Sequence, residues 1–378
     1  MIQNAETQSN VQAIERSLTK KDVIAILTQR LQDNLNSYYP DLDKNRTLIT
    51  GKSLGGHVAS TYRFEIKSGN SSKKYIIFLK LCPIFEALNP ALMEYQTLQL
   101  LYHKMPLIQE DCHVPRPLDY FPDLHAYAME SVGTKNLREY LLKNNSRLRG
   151  DDSINELLDL VSGSANWLRA FHKITMSVKS IKFNYEAFIK SFVEEFDYRS
   201  LSNFRFPKST VDRLEDTIKS LSSLNGVFDM PCAKWHWDYT PGHIFIDNNK
   251  ISVIDILGLD NTPIYEDIGH FLSALTSINN LPFYLFFDFK RAKDRLCNQF
   301  INTYFHDTGY QKDEFVLLSN IYRLKYLIIY FSGQYKMISQ KLHPLAGSAF
   351  ANLRLVRLFN EPILQAIDEI TKRIKKLI

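Results

Sequence analysis

Residues 234–258 read KWHWDYTPGHIFIDNNKISVIDILG, and this stretch decides the fold. His236, Asp238, His243 and Asp255 all fall inside it. The first carboxylate stands in a loop. A strand-like run from His243 to Ile246 comes next, then the turn DNNK, then a second run from Ile251 to Ile256. A hairpin brings its two ends together, so the spacing predicts Asp238 and Asp255 at one mouth. One acid can orient a hydroxyl nucleophile while the other holds a metal ion. Phosphoryl transfer needs both, because its catalysis is mostly positioning and charge neutralisation.

Upstream of this segment the chain changes character twice. Thr19 with Asp22 forms a capping-box pattern, followed by Val23, Ile26, Leu27 and Leu31 at helical spacing. Ser60 to Ile66 and Tyr75 to Leu81 are β-branched or aromatic runs joined by KSGNSSKK, a hairpin connection. Asn89 to Leu101 has a helical period, and Pro115 and Pro117 lead into strand-like segments ending at Glu130. After Gly133 the segments 137–142, 154–172 and 185–196 are helical in pattern, as is almost everything from Ile264 onward. The terminal helix is predicted over Pro362 to Ile378, with Ile363, Ile367, Ile370 and Ile374 on one side. The fold class is therefore α+β. A small β-rich N-terminal lobe and a larger, mainly helical C-terminal lobe meet at a hinge near residues 129–134. In domain terms, 1–45 is a helical extension, 46–130 the β-rich lobe, and 131–378 the helical lobe.

HWDYTPGHIF followed by VIDILG resembles the catalytic and metal-binding motifs of the aminoglycoside phosphotransferase and choline kinase family, which has a protein-kinase-like fold. The resemblance implies a catalytic role for Asp238, a metal-ligand role for Asp255, and loop support from His236. It continues in family order from about residue 50 to 275. LGGHVASTYRFEI resembles the nucleotide loop, with Gly55 and Gly56 at its tip, where backbone N–H groups cover phosphates. Lys80 in IIFLKLC resembles the phosphate-gripping lysine, and Glu94 in ALMEYQTL its ion-pair partner. VPRPLDYF and AYAMESVG resemble the strand leading to the interlobe hinge, which implies that Met129, Glu130 and Ser131 would meet the adenine. WLRAFHK resembles the family's helix ending in Leu-His, and Asp267 in YEDIGHFL resembles the aspartate that braces the catalytic loop. The activity that the resemblance implies is transfer of the γ-phosphoryl group of ATP (or GTP) to a hydroxyl of a small acceptor such as a sugar, glycoside, amino alcohol or antibiotic. Mg²⁺ or Mn²⁺ would serve as the metal.

One residue departs from that pattern: His243 stands where the family has a metal-binding Asn. Histidine can hydrogen-bond the loop through a ring nitrogen, but Mg²⁺ prefers oxygen ligands. The alternative reading is a weak or inactive kinase-fold protein that binds a nucleotide or a partner. Retention of Lys80, Glu94, Asp238 and Asp255 favours activity. No activation-loop and APE-like stretch comes after Asp255, which argues against a protein kinase. HExxH and GxSxG are absent. Trp235 and Trp237 read as packing residues, with a stacking platform for a base or sugar as the alternative.

Composition sets the outer bounds. The chain has 378 residues, 45% hydrophobic and 23% charged, which excludes a disordered polymer. Net charge is +5, too dilute to indicate nucleic acid. The charge is uneven: from residue 270 onward there are 15 Lys and Arg against 8 Asp and Glu. That surplus disfavours a polycationic acceptor and suits one carrying carboxylate or phosphate, with contact to an anionic membrane surface as the lesser alternative. Solvated helix faces would account for it equally well. The N-terminus is polar and lacks a signal-peptide core, and no apolar run reaches the roughly 20 residues a bilayer requires. The richest run, Leu317 to Phe331, contains Arg323 and Lys325 and reads as a buried helix. Four scattered cysteines without a CxxC pair fit a reducing cytoplasm. Oligomeric state is not legible in the sequence.

Overall fold

A computed structural model describes residues 19–55, 59–69, 74–83, 88–144, 151–195, 206–248, 250–278, 290–341 and 344–377. Residues 1–18 and the glycine expected at the loop tip, Gly56, lie outside the described residues. The chain divides into two compact units. One comprises Met1–Thr134 with Ser252–Gly258; the other comprises Lys135–Ile251 with Leu259–Ile378.

The first unit is built on a five-stranded antiparallel sheet. Its strands are β1 (Thr47–Gly55), β2 (Ser60–Ser68), β3 (Lys74–Leu81), β4 (Pro117–Phe121) and β5 (Ala126–Glu130), in the order β1-β2-β3-β5-β4. Alternation drives burial along β2: Tyr62, Phe64 and Ile66 point inward, while Arg63 and Glu65 pair with each other at 2.5 Å. Helix α1 (Lys20–Asp33) begins at the capping box, with Thr19 Oγ1 accepting from Asp22 N–H and Asp22 Oδ2 from Thr19 N–H. Its Leu27 and Leu31, four apart, are fully buried and join Leu35, Tyr38 and Tyr39 in one core with Phe64, Ile66, Ile77 and Leu79. Residues 19–42 thus cover a face of the sheet rather than stand apart from it. Each such leucine contributes roughly 2 kcal/mol by leaving water. Helix α2 (Pro90–Ile108) starts with Pro90 in its first turn, and Asn89 caps it by accepting from Leu92 N–H at 3.1 Å. Ala91, Glu94, Leu98, Leu101 and Met105 form its buried stripe.

The second unit is mainly helical. It contains β6 (Lys135–Asn136), α3 (Leu137–Asn144), α4 (Asp151–Thr175), β7 (Ser180–Lys182), α5 (Tyr185–Glu195), α6 (Lys208–Ser220) and β8 (Asp229–Trp237). Strand β9 (Ile244–Asp247) comes next; β10 (Lys250–Val253) and β11 (Ile256–Pro263) belong to this unit only outside Ser252–Gly258, which counts with the first unit. Helices α7 (Tyr265–Ser277), α8 (Lys290–Phe305), α9 (Lys312–Lys341) and α10 (Pro344–Leu377) complete it. Strand β6 pairs with β9, and β7 with β8, both antiparallel. Helix α7 is buried along nearly its whole length, its polar Asp267, His270, Ser273 and Thr276 included. The 315–331 part of α9 is buried too, as the sequence predicts. Helix α10 runs unbroken through Pro362 instead of starting there. Its stripe of Leu355, Phe359, Ile363, Ala366, Ile370 and Ile374 is buried, and that packing outweighs the backbone bond lost at the proline. Among the described residues no helix is long and apolar enough to cross a membrane. All four cysteines are buried free thiols.

Candidate active site

Two clusters carry the predicted residues, one in each unit. In the first unit β3 and β5 are in a register that sets Lys80 opposite Tyr127. Glu94, on the apolar stripe of α2, is only 5% exposed, so its charge requires a partner. Lys80 Nζ supplies it, donating to Glu94 Oε1 at 2.9 Å and Oε2 at 2.8 Å. The same ammonium reaches Asp255 Oδ1 at 3.1 Å. Tyr127 donates its hydroxyl to Glu94 Oε2 at 2.5 Å. Burial works against the charge on Lys80, but Glu94 and then Asp255 outweigh it and hold the ammonium pKa above the usual lysine value. Burial also pushes the neighbouring Cys82 thiol up to about 12, so it is inert at neutral pH. Asp255 adopts φ +60°, a left-handed turn. Gly258 lies three residues on at φ +74°, and a Cβ there would lie 2.2 Å from Thr97 Oγ1, so only glycine lets the chain pass α2 at this point.

The residues expected to form a nucleotide loop and a hinge lie, as far as they are described, in the same unit. Gly55 ends β1 at φ +79°, just past an irregularity in the β1–β2 register. Met129 is buried opposite Phe78. Glu130 is held on both sides, its N–H donating to Arg116 O at 3.0 Å and its carboxylate accepting from Arg116 Nη1 at 3.3 Å. Ser131 N–H continues the ladder to Ile76 O at 3.0 Å.

In the second unit the loop after β8 carries Asp238. Its carboxylate is 43% exposed, with Oδ2 3.4 Å from His243 Nδ1 and Oδ1 3.8 Å from His270 Nε2. His243 Nδ1 also lies 2.9 Å from the Asp238 carbonyl oxygen. A carbonyl can only accept, so Nδ1 carries the proton and His243 braces the loop. His270, stacked at 5.3 Å on Tyr330, is held neutral: burial pushes its imidazole down to about 4. Behind the loop, Asp267 Oδ2 accepts from the backbone N–H of His236 at 3.0 Å and lies 3.1 Å from His172 Nε2. His172 Nδ1 in turn meets Tyr304 OH at 2.6 Å. Burial raises the Asp267 carboxyl pKa against the opposing pull of His172. The ring of His236 packs edge-on among Trp167, Phe171 and Tyr239.

Sequence reasoning missed Tyr127, Tyr304 and His270, and quoted His172 without giving it a task. Trp237 reads from the sequence as a packing residue, with a stacking platform as the alternative. The indole is 52% exposed, 4.6 Å from Trp235, on a backbone at φ +82°.

No protein-family profile matches the chain, and no curated protein matches it in sequence. Solved structures do match its fold. A glucosamine kinase aligns over 86% of this chain and 83% of its own, at 14% identity and a TM-score of 0.52. An amicoumacin kinase in complex with AMP-PNP, Ca²⁺ and its antibiotic aligns over 88% and 93%, at 13% identity and 0.51. Choline kinase from Cryptosporidium parvum Iowa II aligns over 93% and 99%, at 12% identity and 0.53. At these identities the likeness is one of fold. The chain has the α+β, protein-kinase-like fold of these small-molecule kinases, in line with the motif resemblance.

Proposed function

We propose that the chain is an ATP-dependent small-molecule kinase that transfers the γ-phosphoryl group to an acceptor hydroxyl. The observation that carries this reading is the Lys80 clamp: a buried ammonium gripped by both Glu94 oxygens and touching Asp255. An ion pair this costly to bury calls for a purpose beyond stability. Nucleotide phosphates provide one, and Lys80 would neutralise their charge. Backbone N–H groups near Gly55 would cover the phosphates, and the strand from Met129 to Ser131 would meet the base of ATP, with GTP the other candidate. The solved relatives support a nucleotide: a glucosamine kinase binds glucosamine, ADP and inorganic phosphate, and the amicoumacin kinase binds AMP-PNP.

Asp238 is the group we assign to the acceptor. Its half-exposed carboxylate, steadied by His243, can orient a hydroxyl and take its proton. Asp255, 31% exposed, offers the hard oxygen that Mg²⁺ or Mn²⁺ takes; such ions usually bind one or two carboxylates together with substrate phosphates. Among the described residues no cluster of three or more metal-binding side chains exists, which suits a metal completed by phosphate and water. Bound there, the ion would neutralise phosphate charge. The proton on His243 Nδ1 leaves Nε2 as the ring's only donor atom for a metal, so His243 serves first as a loop brace.

The test is ADP release with Mg²⁺ and with Mn²⁺ over a panel of sugars, glycosides, amino alcohols and antibiotics. Asp238→Ala should fold normally and lower acceptor-dependent turnover by about 10²–10⁴-fold. Turnover no greater than that of the variant, across metals and acceptors, would refute catalysis.

A further inference from the structure

Two cations interrupt the buried part of α9, and only one of them is answered. Lys325 Nζ donates to Glu266 Oε1 at 2.8 Å and Oε2 at 3.1 Å. Arg323 is 6% exposed, and its Nε and Nη2 are buried without a hydrogen-bond partner. Its carbonyl accepts from Ser273 Oγ at 2.7 Å. A lysine in that position could shed its proton. A guanidinium cannot, so its charge has to be met by an anion.

Arg323 lines a cavity of about 470 Å³ walled by α8, α9 and α10, a size typical of small-ligand sites. Each carboxylate on the cavity lining has a partner, and two of those partners, Arg373 and Gln365, line the cavity as well. Asp368 pairs with Arg213, and Glu369 with Arg373 at 3.4 Å. Asp294 accepts from the Gln365 amide at 3.4 Å. Lys312 and Lys372, both on the cavity lining, have no ion-pair partner among the described residues. Behind the wall, Lys293 donates to Thr276 O at 2.7 Å and adds a further positive field. Burial beside Arg323 pushes its ammonium down to about 8. Part of the basic surplus of the C-terminal region is thus left uncompensated around one cavity.

We propose that this cavity binds a small oxyanion-bearing molecule, a carboxylate or a phosphate, whose anionic head pairs with Arg323 while Lys312 and Lys372 hold its rim. The site is built from α8, α9 and α10 alone and stands independently of the phosphotransferase reading.

Thermal unfolding and calorimetric titration with citrate and with inorganic phosphate, at ionic strength held constant with NaCl, test the proposal. At least one anion should bind wild-type protein saturably and raise its Tm; citrate alone indicates a carboxylate ligand, phosphate alone a phosphorylated one. Arg323→Met should unfold at a higher temperature than wild type without anion, because an unanswered buried charge has gone. It should also lose the anion-induced shift. Lys312→Gln with Lys372→Gln should weaken binding by about tenfold and serves as the test if Arg323→Met does not fold. Absence of a saturable shift with both anions, or an undiminished shift in the variants, overturns the site.

Discussion

Trp237 sits where an L-residue is strained. At φ +82° its Cβ crowds the following carbonyl, at a cost of roughly 1–2 kcal/mol that glycine escapes. Two truncations separate this strain from the indole's contacts. Trp237→Gly and Trp237→Ala both remove the ring, but only alanine keeps the Cβ. The glycine variant should be more stable by about 1 kcal/mol in urea unfolding. Equal stabilities would show that the backbone relaxes once the indole is gone. The residue also marks the limit of what the sequence discloses at this scale. Asp238, His243 and His236 could be singled out because they are close together in one short stretch of sequence. Tyr127 was not, because its meeting with Glu94 depends on the β3–β5 register. Tyr304 and His270 depend on how helices far apart in sequence pack.

Among the helices, α7 and α9 approach until backbone meets backbone. A Cβ built on Gly269 would lie 2.5 Å from the carbonyl carbon of Tyr322 and 2.8 Å from Arg323 N. Helix propensity alone favours alanine over glycine by about 1 kcal/mol. The steric conflict reverses that sign, because neither helix can yield without moving buried neighbours. Gly269→Ala should cost about 2–3 kcal/mol, seen as a lowered midpoint in chemical denaturation. Helix existence was legible from the 3.6-residue period, as in α4 and the buried part of α9. The start of α10 was not: Pro362 looked like a first-turn proline, and only the apolar stripe running back to Leu355 shows why the helix continues through it.

At the scale of the whole molecule, residues 19–42 alter how the first unit should be regarded. The sequence suggested an appended helix; the structure makes α1 part of the sheet's apolar cover. Leu27 is fully buried there, so Leu27→Ala should destabilise by about 3 kcal/mol in a denaturant titration. A loss below about 0.5 kcal/mol, the range of ordinary surface changes, would mean that α1 is dispensable. The two-lobed α+β plan was legible because alternation and helical period switch near residue 134. The detachment of Ser252–Gly258 from its sequence neighbours was not, because no local pattern records which unit a short segment joins.

That detachment has a consequence for biosynthesis. The ribosome delivers Met1–Thr134 first, yet the first unit also needs Ser252–Gly258. Lys80 and Glu94 can pair early, but Asp255 and the Gly258 that fits against Thr97 emerge only after Lys135–Ile251 has been made. At typical elongation rates that interval is on the order of ten seconds. Throughout it, the nascent first unit carries an incomplete Lys80–Glu94–Asp255 cluster, and no truncated product ending before residue 255 can ever complete it.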